Sequence, residues 1–278
     1  MKLTLYPSIN SYLIHAIMPE TKPVTFKTSK PPRYIADGIE DTLLVADIAV
    51  PYNKRKDITL FPTFKPKADM EDKVNLVYSP EYNAITSLVA YLSKNGELDP
   101  TMPDLDYLVK ASALLQVIAV GSNLSKDEVS RYLKLTTYLN LVKFEASKEI
   151  IKGILDDKFD DSGADPVKIM AINAYNDEHD YIVDKLTKAK TLSSKVYGNI
   201  AIVEADHNLT LIAKLLVDEH NYNLSIVHKD SFLMLYGEDV KDLGQEVTLN
   251  LNKSGNCYNA FVNDLPDPLY LALKRALA

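Results

Sequence analysis

One cysteine, Cys257, serves a chain of 278 residues. That excludes an internal disulfide framework and any metal site built from several thiolates. Tryptophan is absent and glycine is scarce, at nine residues. A glycine-rich phosphate loop is therefore not expected, and neither G-x-x-x-x-G-K-[ST] nor G-x-S-x-G occurs. Long apolar runs are missing as well. The longest stretches, such as Ala111–Leu115 and Val117–Val120, fall far short of the ~20 residues that span a bilayer. No basic segment leads into an apolar one at the start, where Pro7, Ser8, Asn10 and Ser11 interrupt the pattern. The expectation is a soluble, cytoplasmic protein with no membrane partner.

A basic surplus is lacking too. Lys and Arg number 31 against 38 Asp and Glu, a formal net charge of -7. Residues 1–140 hold 16 of each sign, so the whole acidic excess lies beyond residue 140. Proteins that grip duplex DNA by neutralising phosphates usually show the opposite balance. An acidic second half repels a polyanion on average, and it also serves plain solubility. What is present is ordinary globular material, 46% apolar and 25% charged, in a length that suits roughly two domains.

Strand signals come first along the chain. Lys2–Tyr6 alternates, Val24-Thr25-Phe26 is β-branched and aromatic, and Thr42–Val50 is a nearly continuous apolar run of the kind buried on both faces of a parallel sheet. Ile58–Phe61 is a weaker copy. Ile9, Tyr12, Leu13 and Ala16 predict a helix between the first two strands, with Ser8 or Asn10 at its N-cap. From Pro80 the period turns helical. Helices are expected over Ala84–Leu92, ending at Asn95-Gly96, over Leu105–Val120 and over Ser125–Leu155, where Ser125 and Glu128 form a capping box.

Asp156–Pro166 is acidic and aperiodic and reads as a linker between domains 1–155 and 167–278. Its Asp spacing does not fit a calcium loop. Beyond it, a helix at His179–Lys190, a strand at Ile200–Glu204 and a helix at Leu209–Val217, with Asp206 or Asn208 at its cap, alternate. Strands at Leu224–His228 and Phe232–Tyr236 follow, then a short helix at Val240–Glu246, a strand at Ala260–Val262 and an amphipathic tail at Pro268–Ala278. The expected class is α/β, a parallel-sheet domain followed by a smaller mixed-sheet domain.

Chemistry is sparse in this pattern. The five histidines, His15, His179, His207, His220 and His228, form no HxH or HxxxH pair. Glu204, Asp206 and His207 gather where a strand turns into a helix, and two readings stay open there. They form a metal or acid–base cluster, or Asp206 caps the helix while Glu204 and His207 face solvent. Cys257 has neither His nor Lys beside it in sequence, which suits a buried small residue better than a nucleophile. The 17 tyrosines can stack single-stranded bases, and they can equally pack cores and interfaces.

The order of elements resembles the DHH phosphoesterase superfamily, which includes the RecJ single-strand exonucleases. Thr42–Val50, with Asp47 inside it, looks like the strand bearing a metal-ligand Asp. Ile58–Pro62 looks like the strand that carries Asp-His-His, Glu81–Tyr91 like the helix after it, and Ala113–Asn123 like the approach to the last ligand Asp. Phe232–Gly244 with Asn252–Val262 looks like the closing segment of the DHH-associated domain. The resemblance covers nearly the whole chain in order and pattern, and its motifs are degenerate. Ser8, Ile9 and Asn10 stand where the first His and Asp ligands belong, Phe61-Pro62-Thr63 where Asp-His-His belongs, and Gly121, Ser122 and Asn123 at the last Asp. Ser254, Gly255 and Asn256 replace the glycine–histidine motif.

Asp47, Gly255 and Asn256 are thus vestigial positions, and a two-metal site needs several carboxylates and imidazoles. The resemblance then implies a degenerate, non-enzymatic member without catalytic residues, metal or other cofactor. It is most like the inactive archaeal RecJ-like cofactor of the replicative helicase. The implied partners are GINS and MCM subunits, with a weak contact to single-stranded DNA. An active phosphoesterase with displaced ligands, drawn from Asp47, Glu204, Asp206 and His207, is the alternative. An unrelated α/β binding protein is a third reading.

Overall fold

Apolar residues on both sides of short β segments build the first layer. In the computed structural model, which describes residues 2–18, 24–27, 41–45, 54–62, 70–78, 83–121, 124–159 and 165–262, β1 (Lys2–Leu5), β2 (Val24–Phe26), β3 (Thr42–Val45), β4 (Arg55–Phe61) and β5 (Val74–Leu76) form one sheet. Its order is β2-β1-β3-β4-β5 and every pair is parallel. All four residues of β3 are buried, as a strand covered on both faces requires. Two buried hydroxyls satisfy each other across the ladder, Thr4 Oγ1 lying 2.7 Å from Thr42 Oγ1. Tyr6, Leu44, Ile58, Leu60, Met70 and Val74 cluster with this sheet.

All four expected N-terminal strands are present, with Thr42–Val50 described only as far as Val45; β5 lies outside the expectation, because three residues carry too little alternation to register. α1 (Ile9–Ile17) starts at Ser8, whose Oγ accepts the Ser11 N–H at 3.2 Å. α2 (Ala84–Lys94) is capped by Asn83 and packs Ile85, Leu88 and Leu92 inward beside β3 and β4. α3 spans Pro103–Val120 and α4 spans Lys126–Val142. The Ser125–Glu128 capping box is formed: Ser125 N–H donates to Glu128 Oε2 at 2.9 Å, and Glu128 N–H to Ser125 Oγ at 3.2 Å.

The expected single helical stretch Ser125–Leu155 is in fact broken. A 3-10 turn at Lys143–Glu145 separates α4 from α5 (Lys148–Leu155), and Lys143 adopts a left-handed φ of 55°. Phe144 turns there onto Tyr12 of α1, edge to face at 4.8 Å. α6 (Pro166–Thr187) begins well before the expected His179. Pro166 opens it, with Asp165 Oδ1 accepting the Val167 N–H at 2.9 Å. Val167, Ile169 and Met170 remain exposed in its first turns, which blurs the amphipathic period that would have announced it.

β6 (Lys190–Ser194), β7 (Gly198–Glu204), β8 (Leu224–Lys229), β9 (Phe232–Gly237), β10 (Asn252–Ser254) and β11 (Cys257–Phe261) make a second sheet, ordered β10-β11-β9-β8-β7-β6. Only β7 and β8 run parallel, joined through α7 (Leu209–Asp218). β6 takes Lys190 out of the helix expected to end there, and β10 went unforeseen at three residues. Ile200, Ile226, Leu233 and Leu235 share a core with Val240 and Leu243 of α8 (Val240–Glu246).

Two compact units result: Met1–Leu114 with Arg131–Ala174, and Leu115–Ser130 with Tyr175–Ala278. The α/β class, a parallel sheet and a separate mixed sheet, is as expected. No helix among the described residues is long and apolar enough to cross a membrane. Asp47, Thr63, Ser122, Asn123 and the tail Pro268–Ala278 lie outside the described residues.

Candidate functional site

The parallel sheet sets one place where a ligand would bind. From β1 the chain moves outward to β2 and then returns to β3 on the other side of β1. Ligands of such sheets sit at that switch point, beyond the carboxyl ends of the strands. After β1 come Tyr6, Pro7 and Ser8. The Ser8 hydroxyl donates to Ser11 Oγ at 3.0 Å while accepting the Ser11 N–H, so the pair closes on itself as a helix cap. β4 ends in buried Phe61, 5.5 Å from Tyr91 edge to face, followed by Pro62, also buried. β5 runs out into Val77 and Tyr78.

The described residues at these ends offer hydroxyls and rings, and none of those described is a carboxylate or an imidazole. Among the described residues no group of three His, Cys, Asp or Glu could hold a metal ion. A two-metal centre needs several carboxylates and imidazoles, and Asp47 and Thr63 lie outside the described residues.

Glu204, Asp206 and His207 stand at the carboxyl end of the other parallel pair. Glu204, the last residue of β7, is exposed and pairs in register with His228. His228 is buried, and desolvation lowers its pKa, favouring the neutral imidazole. Asp206 does not cap α7. Its N–H donates to the Tyr181 hydroxyl at 2.7 Å, and its carbonyl oxygen accepts from Lys229 Nζ at 2.7 Å. Asn208 occupies the N-cap with a left-handed φ of 53°, and its side chain makes no capping bond.

Nor does His207 simply face solvent. Its Nε2 lies 2.9 Å from Glu178 Oε2, and its ring stacks on Tyr181 at 4.2 Å and 10°. Asn208 Nδ2 donates to the other Glu178 oxygen at 2.7 Å. The cluster is a polar fastening of α6 to the β7–α7 turn, with one carboxylate satisfied from two sides. Sequence reasoning missed Glu178 and Tyr181. Their i,i+3 spacing on one helix face is the signal that could have found them.

Gly255 and Asn256 form the two-residue turn between β10 and β11, where Ser254 pairs with Cys257 and Gly255 takes a φ of 60°. Cys257 is fully buried, and burial pushes its thiol up to about 11. That is the environment of an inert packing residue.

No family model matches the chain. No curated protein matches it by sequence either. Among solved structures, CDC45 from Entamoeba histolytica is similar at 7% identity and a TM-score of 0.43, over 99% of this chain and 95% of that one. An exopolyphosphatase-related protein from Bacteroides fragilis is similar at 10% identity and a TM-score of 0.48, over 99% and 91%. A DHH domain from a member of the s1p family of ribosomal proteins is similar at 12% identity and a TM-score of 0.46, over 99% and 86%. These are likenesses in the course of the chain, and the chemistry rests on the residues.

Proposed function

We propose that this chain is a degenerate, catalytically inactive DHH/RecJ-like protein that acts as a scaffold in replication, linking GINS to the MCM helicase and touching single-stranded DNA weakly. The observation carrying the reading is the carboxyl edge of the parallel sheet. A hydrolase of this architecture needs clustered carboxylates and imidazoles there, whereas Ser8 and Ser11 close on each other and Phe61 packs on Tyr91. An acidic second half supports protein contact over a phosphate grip.

The test has two arms. Purified protein is assayed with manganese on single-stranded DNA and on dinucleotides, and no turnover is expected. Turnover that Asp47→Ala abolishes would overturn inactivity and leave the displaced-ligand phosphoesterase. The second arm is co-purification with GINS and MCM subunits, which the scaffold reading requires. Clean failure to bind either, together with no turnover, would leave an unrelated α/β binding protein.

A further inference from the structure

Lys214 lies on α7 and is wholly buried, in the unit built around the mixed sheet. Its Nζ donates to the carbonyl oxygen of Gly121 at 2.6 Å and stands 5.6 Å from the centre of the Tyr236 ring. The other groups that act on it are Cys257 on β11 and Asp218, one turn along its own helix. It makes no salt bridge among the described residues. A cation buried against a neutral carbonyl and an aromatic ring is costly, and desolvation holds the Lys214 pKa below the ordinary lysine value. A methionine of similar length would fill the space without that cost.

The acceptor is equally particular. Gly121 follows α3, its N–H bonded to the Val117 carbonyl oxygen at 2.7 Å. A Cβ at residue 121 would lie 2.5 Å from that same oxygen. The close turn thus needs glycine, and it presents the Gly121 carbonyl to a lysine 93 residues further along. Leu115–Ser130 groups with the mixed-sheet unit although it comes from the middle of the helical run.

We infer that Lys214 is a positioning residue, a pin that fixes the end of α3 on the mixed-sheet unit while lowering the stability of the fold as a whole. This is independent of the scaffold reading. A residue present only for packing would move local and global stability together. A pin separates them.

The experiment compares full-length protein with Lys214→Met by thermal unfolding and by amide hydrogen exchange. The expected result is an equal or higher Tm, with exchange at residues 117–121 faster by roughly 10-fold and β7, β8 and β9 protected as in the parent. Lys214→Arg, which keeps a donor, is expected to restore slow exchange at those amides. Unchanged exchange at 117–121 in Lys214→Met would overturn the inference. So would loss of protection across the sheet in step with it, or failure of that variant to fold.

Discussion

The hydroxyl of Tyr138 accepts the backbone N–H of Ser147 at 2.7 Å, across the break between α4 and α5. Tyr138 is 1% exposed, so the bond is made where water has little access. Removing the hydroxyl strands a partly buried amide at the start of α5. Tyr138→Phe is expected to cost about 1–2 kcal/mol, read as a lower denaturant midpoint with an unchanged slope.

Ser8 anchors α1 at the switch point of the parallel sheet. Ser8→Ala removes the acceptor for the Ser11 N–H and leaves the buried Ser11 hydroxyl without its donor. The expected loss is about 1 kcal/mol, and Ser8→Asp, which restores an N-cap acceptor, should recover most of it in chemical denaturation.

Glu178 holds both His207 and Asn208. Glu178→Ala releases them together and loosens α6 from the β7–α7 turn. Because His207 is half exposed, the loss is expected near about 1 kcal/mol rather than the value of a buried pair. Glu178→Gln keeps one acceptor oxygen and should lose less. Faster exchange in the second half of α6 is the local readout.

Alkaline pH should find Cys257. Its thiol rises in the fold from an ordinary 9.0 to about 11, chiefly through burial, with Lys214 pulling the other way. The unfolded chain therefore releases this proton first, and stability is lost as pH climbs from about 9 to about 11. The full effect of one group is at most about 1.4 kcal/mol for each pH unit of that window. Cys257→Ala removes it, so its stability should fall less steeply across the same range. Equal slopes for the two proteins would contradict this assignment.

Much of this was legible from residue patterns, for reasons visible in particular elements. β3 announces itself because every described residue is buried, so an unbroken apolar run was enough. The caps at Ser8 and Ser125 are local bonds between residues three apart, which a sequence displays directly. β5 and β10 are three residues each and hold their places through ladder partners set elsewhere in the chain. The start of α6 was hidden by exposed Val167, Ile169 and Met170. His207 and Glu178 lie 29 residues apart, so no spacing rule joins them, and a plausible cap at Asp206 stood in their place.

β1 lies between β2 and β3, with Leu3 and Leu5 buried. β1 is thus made before both of its sheet neighbours and lies between them, and its second neighbour cannot form until Thr42–Val45 has left the ribosome. Until then the nascent chain carries an apolar strand with an open edge, the kind of segment that pairs with the wrong partner or recruits a chaperone. Slowing translation while β1 has emerged and Thr42–Val45 is still inside the ribosome should lower the yield of folded protein, and slowing it once Val74–Leu76 has emerged should spare the first sheet.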